Sequence, residues 1–464
     1  MNNIYKITIG ILTFLLSACS LDFEPTSAVS SNNLTEDDYS SLLVGVYDAM
    51  QMQLPSQIQD ICSDNIKART WSNLIQMDND AVTTDNSYNS SYWDTYYGNI
   101  ALCNNLINLI SNKDGSKFRE IEAQARVVRA LNYYQIVSLW GDAPLVKSVS
   151  DSLLPRSPEN DIWELMKEDA QYAIKYAPDF TDPSYVSKDA GKALLARILL
   201  IAPVGVQDKT EAKEIAEGLI AEEKFTLAEN PADIWQNHTS AEIILQWMNV
   251  SGDGYAPGWW LRSNIVNNVS NPGIGDYGRY ELPVDTALYN AFEKGDKRKA
   301  VSVRHLKNAT NETYDVIKFP RYDGADPFPV FRIAEQYLIS AEAQGYPKGI
   351  GRLNELRVIR GLPALKVGTD IDENNFEDKI MAERRVEFVS EGFRWYDLRR
   401  WWNSGEAGKQ SVLNLNSYQV GEVVGSRSTA SETLNIDTDG HNLLWPISAT
   451  TRANDPNLTQ NPGY

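Results

Sequence analysis

The sequence predicts a mostly α fold, built from stacked helices and interrupted by one loop-rich insert with minor β structure. Three observations carry that prediction. Apolar residues recur at helical spacing through most of the 464 residues. Several of those stripes include alanines facing larger side chains, a pattern that lets neighbouring helices approach closely. Between Thr226 and Phe331 the pattern gives way to glycine, proline, asparagine and aromatic residues.

The elements follow in order. Thr35 with Glu36, Asp37 and Asp38 reads as a helix start, a hydroxyl cap with acids in the first turn, continued by Leu42, Leu43 and Val46. From Trp93 a stripe runs through Tyr97, Ile100, Leu102, Leu106, Leu109 and Ile110. A second runs from Phe118 through Ile121, Ala125, Val128, Leu131, Tyr134 and Val137 to Leu139, where Gly141-Asp142-Ala143-Pro144 stops it. Ile162 to Tyr176 ends before Pro178, Asp189 to Ile201 ends before Pro203, and Lys209 to Glu222 follows. Inside the insert, Ile243-Ile244-Leu245 reads as a small strand, and Gly252-Asp253-Gly254, Pro257-Gly258 and Asn271-Pro272-Gly273 mark turns. Ala334 to Gln344 and Ile350 to Ile359 make a further pair, and one long helix is expected from Phe376 to Trp402. Ser404 to Asn442 reads as loop. The alanines at 123, 125 and 130, at 190, 193 and 196, and at 334, 341 and 343 make the helices resemble degenerate tetratricopeptide units, hence a tetratricopeptide-like superhelix.

Composition narrows the function. With 43 Lys and Arg against 62 Asp and Glu, the formal net charge is −19. That disfavours nucleic acid, whose phosphates need a basic footprint, and disfavours adhesion to anionic lipid through protein charge. At the N-terminus, Lys6 precedes a short apolar run from Ile7 to Leu16, and Ser17-Ala18-Cys19 follows. The run is too short to span a bilayer and has the length of a signal-peptide core. Small residues before a cysteine resemble a bacterial lipobox, in which Cys19 is acylated and becomes the new N-terminus. Anchoring then rests on lipid chains, each buried methylene contributing about 0.8 kcal/mol. The other two of the three cysteines, Cys62 and Cys103, are either a disulfide or two buried thiols. The expected organisation is a signal peptide at 1–18, an acylated tether at 19–34, a helical region at 35–225, an insert at 226–330 and a C-terminal region at 331–464, with 35–464 forming one body.

Four ordered blocks then carry a family resemblance. The first runs from Tyr92-Trp93 to Asn104-Asn105. The second joins Glu122-Ala123 and Arg129-Ala130-Leu131-Asn132-Tyr133-Tyr134 to Trp140-Gly141-Asp142-Ala143-Pro144-Leu145. The third comprises Ile333 to Leu338, Ala341-Glu342-Ala343, Leu353 to Arg357 and Arg360-Gly361-Leu362-Pro363. The fourth is Glu383-Arg384-Arg385-Val386-Glu387-Phe388 with Glu391 to Trp401, and the chain closes on Trp445-Pro446-Ile447 and Asn457 to Tyr464. The chain resembles the SusD/RagB nutrient-binding lipoproteins. The resemblance implies a protein on the outer face of the outer membrane that binds oligosaccharide and passes it to a SusC-like TonB-dependent transporter. It implies no catalytic residue, no cofactor and no metal. RagB-type relatives imply peptide as the alternative cargo.

The residues themselves bear on that reading. Glu383, Glu387 and Glu391 share one helix face, with Arg384, Arg394, Arg399 and Arg400 in reach. Paired carboxylates suit a surface glycoside hydrolase, but the abundance of acids favours an ion-pair network that holds the last helix to the body. His238, His305 and His441 match no zinc spacing. Asn435 to Gly440 starts like a calcium loop, yet Pro446 occupies the position of the bidentate carboxylate, so the segment reads as a turn, with a surface cation as the alternative. Sugars offer flat C–H faces and rings of hydroxyls, which aromatic planes and polar side chains match. Two irregular stretches hold both: Asp64, Arg69 and Trp71, with Asn73 and Asp78, and then Trp259, Trp260, Tyr277 and Tyr280 in the insert. Trp93, Trp140, Trp395 and Trp401 lie in the fold blocks and are expected in the core.

Overall fold

Most of the apolar stripes become helices that pack on the next in chain order. The computed structural model describes residues 34–51, 55–68, 71–149, 152–238, 240–251, 282–307, 312–321, 325–416 and 434–464. Contact density divides the chain into residues 1–42 and 43–464. The N-terminal helices are α1 (Glu36–Gln51), α2 (Pro55–Ile61), α3 (Ser72–Asp78), α4 (Ser87–Ile110), α5 (Ser116–Trp140), α6 (Glu159–Tyr176), α7 (Lys188–Ile201), α8 (Lys209–Ala221) and α9 (Ala232–Trp235). Then come α10 (Thr286–Ala291), α11 (Lys299–Ser302), α12 (Ile333–Gln344), α13 (Ile350–Ile359), α14 (Phe376–Glu387), α15 (Arg394–Trp402), α16 (Glu406–Asn416) and α17 (Ala449–Asn454). From α4 to α8 each helix packs on its successor, α12 packs on α8, and α13 packs on α12. This is the tetratricopeptide-like arrangement that the alanine pattern predicts. No helix among the described residues is long and apolar enough to cross a membrane.

Caps and small residues explain the boundaries. Asn86 accepts hydrogen bonds from the Tyr88 and Asn89 amides, so α4 begins well before the stripe that starts at Trp93. Ser187 caps α7 and Asp208 caps α8 in the same way. Ala123, Ala125, Ala130, Ala190, Ala193 and Ala196 are fully buried. At Gly191 a Cβ would lie 2.9 Å from the Ile174 amide nitrogen and 3.0 Å from the Ala173 Cβ, so α6 and α7 meet there only because the side chain is absent.

The core follows the helix faces. Ala334, Leu338 and Ala341 of α12 pack with Leu353 and Leu356 of α13 and with Phe376 and Ile380 of α14. A second centre is aromatic: Trp140 meets Trp93 at 5.2 Å and Trp445 at 5.6 Å, both edge to face, and donates its Nε1 hydrogen to Asn89 Oδ1 at 3.0 Å. Trp93, Trp140, Trp395 and Trp401 are all buried, as their place in the fold blocks predicts.

Two expectations need correction. The long helix over 376–402 is two helices, α14 and α15. Ser390 and Gly392 take left-handed backbone angles, φ 58° and 80°, between them, and Phe388 stacks on Phe393 at 4.3 Å across the break. The amides of Ser390 and Gly392 point at the Asp60 carboxylate of α2, at 3.3 and 3.4 Å, so a buried acid replaces the helical acceptors. The stretch after Ser404 is not all loop, since Glu406–Asn416 is helical and packs on α15.

Among the described residues, strands form three two-stranded antiparallel ladders: β1 (Ala143–Pro144) with β2 (Arg156–Ser157), β3 (Ile243–Trp247) with β6 (Phe328–Arg332), and β4 (Val303–Lys307) with β5 (Glu312–Val316). The run at Ile243 is a strand as predicted. β4 escapes a hydrophobicity reading because all four residues after Val303 are exposed or half-buried, and three of them, Arg304, His305 and Lys307, are polar.

Candidate functional site

Among the described residues, the loop between α2 and α3 carries the one predicted ligand residue, Trp71, that is exposed. Its base is tied down first. Asn65 Nδ2 donates to Asp60 Oδ1 at 2.8 Å. Ile66 then forms a β-bridge with Val284, the Lys67 amide donates to the Pro283 carbonyl at 2.8 Å, and the Asp285 amide donates to the Asn65 carbonyl at 2.8 Å. Residues 65–67 are thus bonded to residues 283–285 within the mid-chain insert. Those two segments are the neighbours of the two aromatic stretches singled out in the sequence.

Trp71 stands at the end of this loop and opens α3. Its backbone is left-handed, φ 67°, which is rare for a bulky residue, and the side chain is 49% exposed. The Leu74 and Ile75 amides donate to the Trp71 carbonyl at 2.9 and 3.1 Å, which ties the unusual backbone to the first turn of α3. Asn73 Nδ2 donates to Ser87 Oγ at 2.7 Å, and Asn86 Nδ2 donates to the Asn73 carbonyl at 3.0 Å, locking α3 to the start of α4. Tyr88 and Tyr92, both half-buried, stack on that end of α4 with ring centres 6.2 Å apart.

Asp64 is a correction. It is buried, with Arg394 Nε 2.7 Å from Oδ1 and Arg394 Nη2 2.9 Å from Oδ2, and Arg385 3.1 Å from the same Oδ2. Burial pushes its carboxyl up, but the two guanidiniums outweigh burial and hold it well below the usual carboxylate range. Both oxygens serve the fold and none faces a ligand. Asp78 is also buried, 3.3 Å from Lys67 Nζ, and burial pushes it up to about 6. Arg69, Trp259, Trp260, Tyr277 and Tyr280 lie outside the described residues.

The glutamate face of α14 is an ion-pair network, with partners other than the neighbouring arginines. Glu387 is held by Arg332 Nη1 at 2.8 Å, Arg360 Nη2 at 2.8 Å and Arg298 Nη1 at 2.9 Å. Glu383 takes Arg298 and Arg357, and Glu391 takes Lys318 and Arg332. Glu242 of the chain before β3 bridges Arg332 and Arg360. Burial pushes the Glu387 carboxyl up, and the surrounding guanidiniums carry it well below its usual value. Arg384 and Arg400 instead hold Asp397, Arg400 also holds Glu342, and Arg399 holds Glu159. These distant partners carry no local sequence signal. The same is true of Asp60 at the helix break.

Two smaller sequence expectations resolve locally. Gly440 closes a turn in which its amide donates to the Asp437 carbonyl at 2.8 Å, and His441 lies between two carboxylates, 2.8 Å from Asp439 and 3.3 Å from Asp437. Cys62 and Cys103 are separate buried thiols, so the disulfide alternative falls away. Burial pushes the Cys103 thiol up to about 12 and raises Cys62 well above its usual value.

Comparison with known proteins places these features in a family. The model described as the SusD family matches residues 275–464, and one described as "Starch-binding associating with outer membrane" matches residues 20–200. The chain belongs to the SusD/RagB family. It is 24% identical to SusD-like protein P2 of Formosa agariphila, covering 99% of both chains. It is also 24% identical to a SusD-like protein of Bacteroides ovatus, over 76% of this chain and 73% of that one. Among solved structures it resembles surface glycan-binding protein A from Bacteroides uniformis, with TM-score 0.78, 20% identity and coverage of 92% of this chain and 99% of that one. A laminarin binding SusD-like protein aligns with TM-score 0.72, 22% identity and coverage of 92% and 99%.

Proposed function

We propose that this protein binds oligosaccharide at the cell surface and delivers it, chemically unchanged, to a SusC-like TonB-dependent transporter of the outer membrane. Family membership supports the class, and relatives named for starch, laminarin and surface glycan support carbohydrate as the ligand. The observation that carries the reading is Trp71: a half-exposed indole held out by a left-handed backbone, on a loop bonded to residues 283–285 of the insert. An indole face matches the C–H face of a pyranose. Arg69, Trp259, Trp260, Tyr277 and Tyr280 would extend this surface from the loop and the insert. Glu383 and Glu387 of α14 and Glu391 beyond its end, the hydrolase candidates, are buried in ion pairs, which supports binding without bond cleavage.

In this reading residues 1–18 are a signal peptide, Cys19 carries the lipid and residues 19–34 are the tether to the helical body. Calorimetric titration with a panel of glycans and extended peptides tests the ligand class. Binding to glycans is expected, and binding to peptides alone would overturn the sugar assignment. Palmitate labelling of the native chain, lost in Cys19→Ser, tests the anchor. Co-purification with a large β-barrel protein tests the partner, and its consistent absence would remove the delivery role.

A further inference from the structure

A second cleft lies away from Trp71. Two cavities of about 540 and 600 Å³ are both lined by Lys209, Glu342, Glu377 and Trp401, so they are compartments of one groove. Each falls in the size range of small-ligand sites, about 300–1,000 Å³. The groove runs between the start of α8, the end of α12, and α14 to α16. Among the described residues, none from 61 to 92 lines either compartment.

The groups around the groove differ in what they leave available. Glu342 is taken up by Arg400, with one contact at 2.9 Å, so that pair forms a neutral wall. Lys209 and Glu377 are exposed, and neither has a hydrogen-bond or ion-pair partner among the described residues. Asn403 is exposed at the end of α15 and lines one compartment. Tyr346 is half-exposed and lines the other, its ring edge-on to Phe376 at 6.4 Å.

We propose that this groove is a second saccharide-binding site, specific for neutral oligosaccharide. An ammonium only donates, a carboxylate only accepts and an amide does both, which together match a ring of hydroxyls. A formal anion meets Glu377 and a formal cation meets Lys209, so a polyol satisfies both without an uncompensated charge. Tyr346 supplies the main apolar contact, with the largely buried Trp401 in the groove wall. Two sites on one body raise the retention of a long glycan by effective concentration, even when each site alone is weak.

The inference rests on the carbohydrate reading, and one experiment separates the two. Wild type, Trp71→Ala, Lys209→Ala/Glu377→Ala and the triple variant are titrated with maltohexaose and laminarihexaose, with thermal unfolding run alongside. Lys209 and Glu377 are exposed and have no partner among the described residues, so the double variant should keep the wild-type melting temperature. The expected result is residual binding in Trp71→Ala that the triple variant weakens roughly tenfold or more, the loss of two charge-assisted contacts. Wild-type binding that vanishes in Trp71→Ala and is unchanged in the double variant overturns the second site alone. Binding unchanged in Trp71→Ala but lost in the double variant overturns Trp71 as the primary surface and keeps the groove. No binding of either sugar by wild type overturns both for these glucans.

Discussion

Asp64 and Arg394 form a buried, two-pronged ion pair across 330 residues of chain, with contacts of 2.7 and 2.9 Å. The pair fastens the base of the Trp71 loop to the first residue of α15. Replacing Arg394 by Met leaves the Asp64 carboxylate buried with Arg385 alone, and should destabilise the protein by about 3 kcal/mol in urea unfolding. The pH signature has a definite sign. The folded carboxyl lies below its unfolded value, so its stabilising contribution is complete above about pH 4 and is lost as the pH falls toward the folded value. The stability gap between wild type and Asp64→Asn should therefore shrink below pH 4, and a gap that stays constant would show the pair to be inert.

Glu387 compensates three buried guanidiniums at once, those of Arg298, Arg332 and Arg360. Glu387→Gln keeps the shape and removes the charge. Loss of about 3–5 kcal/mol is expected because three buried guanidiniums each lose one ion-pair partner, read as a lowered urea midpoint. The same substitution should leave α4 to α8 secondary structure intact by circular dichroism at low urea, because the network joins α13, α14 and β6 rather than the N-terminal helices.

Asp60 has the opposite pH sign from Asp64. Burial pushes its carboxyl up to about 6, despite hydrogen bonds from Asn65, Ser390 and Gly392. The native state then holds a proton that the unfolded state releases, so stability falls as the pH rises from about 4 to about 6. Relative to Asp60→Asn, the wild type should lose up to about 3 kcal/mol across that window. Urea midpoints measured at half-unit steps would reveal it, and parallel curves would refute it.

Trp71 combines exposure with a left-handed backbone. Both Trp71→Ala and Trp71→Gly should weaken glycan binding at the primary surface. The glycine variant should be the more stable of the two by about 1 kcal/mol, since only it accepts φ 67° without a Cβ clash. Equal stabilities would mean that the loop relaxes to another backbone in the variants.

The thiols give a chemical test of the fold. Cys62 and Cys103 are 1% and 0% exposed and unpaired with each other. Ellman's reagent should find neither in the native protein and both after denaturation without reductant. A disulfide-linked peptide in a non-reducing digest would contradict the structure.

How much of this was legible beforehand varied with the range of the interaction. The boundaries of α5, α7, α8 and α13 follow from stripes, caps and stop residues within a few positions of each other. The break between α14 and α15 was hidden, because the acid that replaces its lost acceptors, Asp60, is far away in sequence. Asp64 resembled a ligand residue for the same reason: a carboxylate in an irregular stretch looks available until its arginines arrive from the other end of the chain. Trp71 was legible as an aromatic in a polar loop, but its exposure and backbone angle were not.

Local periodicity and stop residues determined that this chain is helical and where most helices end, and the four ordered blocks, by resemblance, pointed to the family and to the tryptophans that lie inside. Only the tertiary structure decided which charges are free. A helix boundary is written in the few residues that compete for the same backbone groups, whereas the fate of a carboxylate depends on whichever guanidinium folding brings beside it.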